Sequence, residues 1–115
     1  MADEKAIDLT FLQSFTGGNK DKMAKYINIF LQLCPGQLEA MKTNMAGSNY
    51  DGLRATAHAL KPQITYMGIK GGEDLIKSIE KHAAEKTETE NLPQMLSDFS
   101  TLCENAMKEL KEAVA

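Results

Sequence analysis

One histidine near the middle of the chain has neighbours suited to holding an anion. Arg54 lies four residues before His58, and Lys61 lies three residues after it. If the segment is helical, these spacings put both cations on the same side as the imidazole. An imidazole changes charge near neutral pH and is a competent nucleophile for phosphorus, while a phosphoryl group bound to it needs charge neutralisation. The three residues together could therefore accept and pass on a phosphoryl group.

The predicted helix around His58 turns this histidine away from the core. Its apolar stripe lies about 100° to 180° of rotation from His58, at about 100° per residue. The stripe consists of Leu53, Ala57, Leu60, Ile64 and Met67. A histidine on a solvated helix face is more often an ordinary surface residue than a nucleophile, so periodicity alone leaves both interpretations open.

Apolar residues recur at steps of three and four along most of the chain, which is typical of amphipathic helices. The pattern predicts helices at about 8–16, 20–46, 50–67, 71–84 and 92–113. Pro35 lies inside the second helix, where we expect either a kink or a new helix that begins in the same register. Long helices with short loops predict an all-α fold, an antiparallel up-down four-helix bundle with a short extra N-terminal helix. The whole chain, 1–115, is expected to form one domain.

Local signals support these boundaries. The predicted caps are Asp8, Asn19, Asn49 and Asn91, and the glycines expected beyond helix ends are Gly17, Gly18 and Gly68. In the fourth helix the apolar positions face inward, and Lys77, Glu80 and Lys81 are expected outside.

Composition and charge exclude several classes of function. A net charge of -3 and a pI near 5.4 do not fit a nucleic-acid-binding protein, which would carry clustered cations. The charged segment 1–5 is neither a signal peptide nor a membrane span, so we expect a cytoplasmic protein. Cys34 and Cys103 fall at apolar positions and are expected to be buried thiols rather than a disulfide.

The remaining polar residues form no other predicted site. His82 is expected on the surface, and no histidine, cysteine and carboxylate set has the spacing of a metal site or a catalytic triad. The glycine pairs lack the sequence context that would hold a nucleotide, so we expect neither bound ATP nor a kinase activity.

The segment Ala57-His58-Ala59-Leu60-Lys61, followed by Gly68, resembles the signature of the histidine-phosphotransfer (HPt) domain family of bacterial two-component phosphorelays. That signature is His-x-Leu-Lys-Gly with a second glycine ten residues after the histidine. The similarity covers nearly the whole chain, because the predicted helices and the mid-helix proline also fall where the family has them.

The resemblance implies a role for each matching residue. His58 would take a phosphoryl group from the aspartyl phosphate of one receiver domain and give it to the aspartate of another response regulator. Lys61 would help to hold the phosphate, and Gly68 would end the helix. The implied partners are receiver domains and a hybrid sensor histidine kinase, with Mg²⁺ supplied by the receiver and no cofactor bound by this chain, which is expected to be a monomer and not an enzyme.

Pro62 departs from the family pattern, which usually has glycine four residues after the histidine. Proline has no N–H, so the carbonyl of His58 loses its helical hydrogen bond, and Gln63 adds a donor and acceptor beside it. Both residues are therefore expected to affect the geometry of the site.

A second stripe on the second helix is a candidate docking surface for a receiver, the alternative being a widened core stripe. It consists of Tyr26, Ile29 and Leu33. Ala55 and Ala59 on the small-residue side of His58, together with Thr65, are the further docking candidates.

Two alternative functions remain. The chain could be an adapter that binds receivers without being phosphorylated, because Pro62 spoils the site. It could also be a structural bundle in which the motif is a coincidence, although the agreement over the whole chain argues against this.

Overall fold

This computed structural model describes residues 6–114, which contain five α-helices. They are α1 (Thr10–Thr16), α2 (Lys20–Ala46), α3 (Tyr50–Met67), α4 (Gly72–Glu85) and α5 (Leu92–Val114), with a short 3₁₀ turn at Thr89–Asn91 before α5. The prediction of an all-α bundle is confirmed. The predictions for residues 1–5 and for the last residue of the domain lie outside the described residues.

The core lies between the four long helices, because each turns one apolar stripe inward. Every residue of the stripe predicted for α3 is buried. The other helices contribute Ile27, Phe30, Cys34, Leu38 and Met41 from α2, Ile76, Ile79 and Ala83 from α4, and Leu92, Leu96, Phe99, Cys103, Ala106 and Leu110 from α5. Short α1 adds Leu12 at one end of this core.

Cys34 and Cys103 are both free thiols with no exposed surface. Their hydrogen bond, together with burial, raises the pKa of the Cys103 thiol above its ordinary range. The prediction of buried thiols is confirmed.

Two helices begin with the predicted asparagine caps. The side chain of Asn19 accepts from the N–H of Lys22 at the start of α2, and that of Asn49 accepts from the N–H of Gly52 at the start of α3, each at 3.0 Å. Each bond satisfies one free N–H of a first turn.

The first helix begins later than predicted. Its first residue is Thr10, so residues 8–9 are not helical, and Leu9 rather than Asp8 occupies the cap position. Asp8 stays next to the helix end, where its carboxylate accepts from the N–H and the hydroxyl of Thr10. These bonds lower the pKa of Asp8 below its ordinary value. Asp8 therefore contacts the first turn of α1, but from the residue before the cap position rather than from the cap position itself.

Pro35 does not divide α2. The helix is assigned without a break from Lys20 to Ala46 with Pro35 inside it, so a new helix starting at Pro35 was the wrong alternative. Proline removes one backbone bond, to the carbonyl of Leu31. Buried residues on both sides of it, Phe30 and Leu38 among them, hold the two halves in one register.

The end of α3 is tied to the N-terminal segment. Gly68 adopts a left-handed conformation, with φ 60°, and its carbonyl accepts from the N–H of Asp8 at 2.9 Å. The N–H of Lys70 donates to the carbonyl of Ala6 at 2.9 Å, and Ile7 pairs with Ile69 as an isolated antiparallel bridge. A Cβ atom on Gly68 would collide with the backbone carbonyl of Asp8. Glycine is required here by conformation and by space.

Among the helices described, none is long and apolar enough to cross a lipid bilayer.

Candidate functional site

His58 lies on the outer surface of α3, opposite the buried stripe of that helix. Its side chain is 66% exposed, whereas Ala57 and Leu60, its neighbours in the chain, are fully buried. The prediction that His58 points away from the core is confirmed. The imidazole is therefore accessible to a partner.

The His58 ring is held by a carboxylate from the neighbouring helix. Glu80 on α4 meets Nδ1 of His58 through Oε2 at 2.7 Å and accepts from Nζ of Lys61 through Oε1 at 2.8 Å. One carboxylate thus bridges the histidine and the lysine of the predicted site. We call these three residues the His-Glu-Lys network.

The expectation that Glu80 lies outside the bundle is wrong. Its side chain is 18% exposed and lies between α3 and α4. Glu80 follows Ile76 by four residues and so lies at the border of the buried stripe, whereas Lys77 and Lys81 are further round the helix and exposed. That position at the border was the available signal, but pairing it with His58 required the relative rotation of the two helices.

Glu80 is ionised in this network. The hydrogen bond from Lys61 is the main cause that lowers the pKa of Glu80 below its ordinary value, and the His58 contact adds to it against the opposing effect of partial burial. An ionised carboxylate can only accept hydrogen bonds. In its neutral form, the imidazole of His58 therefore carries its proton on Nδ1, and its lone pair is on Nε2.

Lys61 and Arg54 differ in how firmly they are placed. Lys61 is 30% exposed, and its ammonium group is held by Glu80. The same carboxylate contacts the His58 ring, so the lysine and the histidine lie close together. Arg54 lies on the same side of α3 but is exposed, and it has no ion pair among residues 6–114. The structure thus brings Lys61 into the site and leaves Arg54 beside it.

The unusual residues after Lys61 are accommodated within the helix. Pro62 is exposed and lies inside α3, which runs unbroken from Tyr50 to Met67. Because Pro62 lacks an N–H, the carbonyl of His58 has no donor at its usual helical position. Gln63 is partly buried next to it. The hydroxyl of Thr65 donates to Oε2 of Glu73 on α4 at 2.7 Å.

An exposed aromatic group lies on the opposite side of α3 from Glu80 and was not predicted as a unit. Ring centroids of Phe15 lie 5.6 Å from those of Tyr26 and Tyr66, and Phe11 lies 5.7 Å from Tyr66. Phe11 and Phe15 are about half exposed, at 47% and 54%. We call these four residues the aromatic surface; the spacing of the two phenylalanines, four apart on α1, was the signal for it.

The candidate docking stripe on α2 continues from this aromatic surface. Tyr26 belongs to both, and Ile29 and Leu33 follow it at helical spacing with 42% and 37% of their surface exposed. The alternative that this stripe only widens the core is wrong for Ile29 and Leu33. Ala55 and Ala59 are exposed as well and lie on the same side of α3 as Tyr66.

The other predicted features lie away from this network. His82 is at the end of α4, where Nδ1 lies 3.4 Å from the hydroxyl of Thr87. Residues 6–114 contain no group of three or more His, Cys, Asp or Glu side chains placed to hold a metal ion.

Comparison with known proteins shows the family of this chain. The sequence profile of the family described as "Hpt domain" matches residues 25–114. No curated protein is similar enough in sequence to count as a match. Among solved structures, the fold is similar to that of histidine-containing phosphotransfer protein B (HptB) from Pseudomonas aeruginosa PAO1. The TM-score is 0.85 at 18% identity, covering 95% of this chain and 94% of that one.

Proposed function

The chain belongs to the Hpt domain family and is a phosphotransfer carrier of two-component phosphorelays, and from this premise we propose that Nε2 of His58 is the atom that carries the phosphoryl group. The observation that carries the proposal is the 2.7 Å contact between Nδ1 of His58 and Glu80. It occupies one ring nitrogen and leaves the other as an exposed nucleophile.

The reaction follows from this arrangement. The lone pair on Nε2 attacks the phosphorus of a receiver's aspartyl phosphate, the P–N bond forms, and the P–O bond breaks so that aspartate leaves as a carboxylate. Onward transfer is the reverse step on a second receiver. No base has to remove a proton, because Nε2 carries none in the tautomer that Glu80 selects.

Lys61 and Arg54 neutralise the charge of the phosphoryl group. Phosphoryl transfer depends mainly on positioning and electrostatic stabilisation. Lys61 is held beside the ring by Glu80 at 2.8 Å and can turn its ammonium towards the phosphate. Arg54, exposed on the same side of α3, adds a second cation once a partner orders it.

The partner supplies what this chain lacks. Hpt proteins work with receiver domains and histidine kinases, and we infer that a hybrid sensor kinase and a separate response regulator serve this one. The receiver brings the aspartate and its Mg²⁺, and the carrier acts as a cytoplasmic monomer with no kinase activity of its own.

The receiver docks over the apolar side of α3. The aromatic surface and the α2 stripe of Tyr26, Ile29 and Leu33 form a continuous exposed apolar area beside the small residues Ala55 and Ala59. An exposed apolar area of this kind is typical of a protein interface. The His-Glu-Lys network then faces the receiver's aspartate from the edge of that interface, with Thr65 one turn beyond Lys61.

The decisive experiment compares the two histidines. Wild-type protein, His58→Gln and His82→Gln are each mixed with a phosphorylated receiver and Mg²⁺, and intact mass with ³¹P NMR detects an acid-labile phosphoramidate. Wild type and His82→Gln should be labelled, and His58→Gln should not.

The same experiment separates the alternatives. Receivers that bind all three proteins and label none of them would establish the unphosphorylated adapter instead. In that case Pro62→Gly would be tested next, because Pro62 replaces the small residue beside the ring.

A further inference from the structure

We propose that the negative charge of Glu80 keeps phosphorylated His58 in its Nδ1-protonated form, and that this charge sets how readily the phosphoryl group leaves. The inference rests on the proposed function and deepens it. It assigns to Glu80 a positioning role that acts through His58 and that includes control of the lifetime of the carrier's phosphorylated state.

Phosphorylation leaves the ring of His58 positively charged. When Nε2 attacks phosphorus, the proton on Nδ1 stays in place and the ring becomes a phosphoimidazolium cation. If Nδ1 keeps that proton, the ring leaves phosphorus as neutral imidazole and the electrons of the P–N bond return to Nε2. If Nδ1 loses it, the ring would have to leave as an imidazolate anion, which is a far poorer leaving group.

Glu80 is placed to favour the protonated form. Its Oε2 lies 2.7 Å from Nδ1, and only 18% of its side chain is exposed. A carboxylate at hydrogen-bond distance stabilises a cation more strongly where water is partly excluded. The same contact therefore selects the tautomer before transfer and balances the positive ring after it.

Lys61 makes this effect depend on the phosphoryl group. In the structure Lys61 takes the second oxygen of Glu80 at 2.8 Å, which reduces the charge that Glu80 offers to the ring. A phosphoryl group on Nε2 is a competing anion for Lys61. Once Lys61 turns to the phosphate, the whole charge of Glu80 is available to the phosphoimidazolium.

Among residues 6–114, few other charged groups lie near the His58 ring. On α3 these are Lys61 and Arg54, and on α4 Glu80 makes the contact while Lys77 and Lys81 lie further round the helix, exposed. On the other side of α3 lie the aromatic surface and the apolar stripe of α2, whose titratable groups are Tyr26 and Tyr66. Glu80 is the carboxylate in contact with His58.

The test separates the charge of Glu80 from its hydrogen bond. Glu80→Gln keeps a side chain of the same shape that can still form hydrogen bonds but removes the charge, Glu80→Ala removes both, and Asp74→Asn removes an exposed carboxylate from the same helix as a control. Phosphoramidate, a small chemical donor, phosphorylates each protein without any receiver. The ring is then followed by ¹⁵N NMR, and loss of phosphate by ³¹P NMR, across pH.

The expected results differ between the variants. Before phosphorylation, wild type and Asp74→Asn should show the Nδ1–H tautomer, and Glu80→Gln and Glu80→Ala a mixture, because a glutamine amide can accept from Nδ1 or donate to it. After phosphorylation, the pH at which half of the rings have lost the Nδ1 proton should fall by about one unit in Glu80→Gln. At pH values above the wild-type midpoint, hydrolysis and transfer to a receiver should each be about tenfold slower in Glu80→Gln than in wild type or Asp74→Asn.

Contrary results have distinct meanings. Equal ring titration and equal phosphate lifetimes in wild type and Glu80→Gln, or a wild-type ring protonated on Nε2 before phosphorylation, would overturn the inference and leave the carrier role intact. Failure of wild-type His58 to take phosphate from a receiver would overturn the proposed function itself, and the inference with it.

Discussion

His58 and Lys61 approach one carboxylate from the same helix, and the chemistry of the site depends on that shared contact. A surface histidine without it would exist as two tautomers and would offer either nitrogen to phosphorus. The bond to Glu80 removes that choice, and the bond from Lys61 keeps Glu80 ionised. If His58 is the phosphoacceptor, as we propose, the function depends on a residue of α4 as much as on the signature in α3.

Lys61→Gln should slow phosphoryl transfer from a receiver by about tenfold or more, because one cation that stabilises the transferring group is lost. The rate is measured by rapid mixing with a phosphorylated receiver and gel or mass analysis. Lys77→Gln, an exposed lysine on α4, is the control for the loss of one positive charge. Equal rates for the two variants would show that Lys61 does not act on the phosphoryl group.

The Glu80 bonds should stabilise the fold at neutral pH and not in strong acid. The pKa of Glu80 is lowered in the folded chain, so the stabilisation is present above the ordinary glutamate pKa of about 4.3 and is lost as pH falls through the lower, folded value. Because His58 and Lys61 are partly exposed, the contribution is below about 1 kcal/mol. Urea unfolding of wild type and Glu80→Gln should show a difference at pH 7 that shrinks as the pH falls below about 4.3; a difference that persists unchanged in strong acid would contradict the assignment.

At the scale of elements, the end of α3 connects the site helix to the start of the chain. Gly68 combines a left-handed backbone with a contact so close that a side chain has no room. Its carbonyl holds Asp8, so the segment before α1 is fixed against the helix that carries His58. The glycine of the family signature therefore has a structural reason in this chain.

Gly68→Ala should lower the free energy of unfolding by about 2 kcal/mol or more, because the left-handed conformation and the collision with Asp8 add together. Gly17→Ala is the matched control: Gly17 is also left-handed, with φ 66°, but a Cβ there meets nothing within 4 Å. Gly17→Ala should lower the free energy of unfolding by about 1 kcal/mol. Chemical unfolding followed by circular dichroism measures the free energy of unfolding of both variants. Equal losses of stability would show that the collision with Asp8 does not destabilise Gly68→Ala.

The helices were predictable because each buries one stripe with the helical period. The stripe of α3 and the caps Asn19 and Asn49 needed no knowledge of other parts of the chain. Glu80 was misplaced for the opposite reason: its contact with His58 depends on how α4 is rotated against α3, and a one-dimensional pattern does not contain that angle. The break considered at Pro35 failed because buried contacts on both sides outweigh one lost backbone bond.

The exposed apolar surface was only partly predictable for the same reason, because it too depends on how the helices pack. Tyr26, Ile29 and Leu33 could be recognised as a second stripe on α2, but whether it was core or surface depended on the helices packed beside it. The aromatic surface assembles residues from α1, α2 and α3, so no single segment of the sequence displayed it.

At the scale of the whole molecule, the outer face around His58 has two sides of different character. The side towards α4 is ionic, with the His-Glu-Lys network, and the side towards α1 and α2 is apolar. A receiver that meets this face can place its aspartate near the imidazole while its apolar surface covers the aromatic rings. Affinity and chemistry are then supplied by neighbouring but separate groups of residues.

Ile29→Lys should test that division. The side chain is 42% exposed, so the free energy of unfolding should change by no more than about 0.5 kcal/mol. Transfer at low receiver concentration should fall by about tenfold, as expected for an apolar interface residue, while labelling by phosphoramidate should be unchanged. Asn28→Lys adds the same charge at a neighbouring exposed position as the control, and equal transfer by the two variants would exclude the α2 stripe from docking.

The two buried cysteines can report how often the native bundle opens. Cys34 and Cys103 have no exposed surface, so an alkylating reagent in solution reaches them only when α2 and α5 separate. At high reagent concentration the labelling rate therefore counts opening events of the native protein, and the mass spectrum tells whether both sulfurs open together or one helix detaches first. A receiver that binds only the closed bundle would slow alkylation in proportion to its occupancy, so the alkylation rate also measures receiver binding.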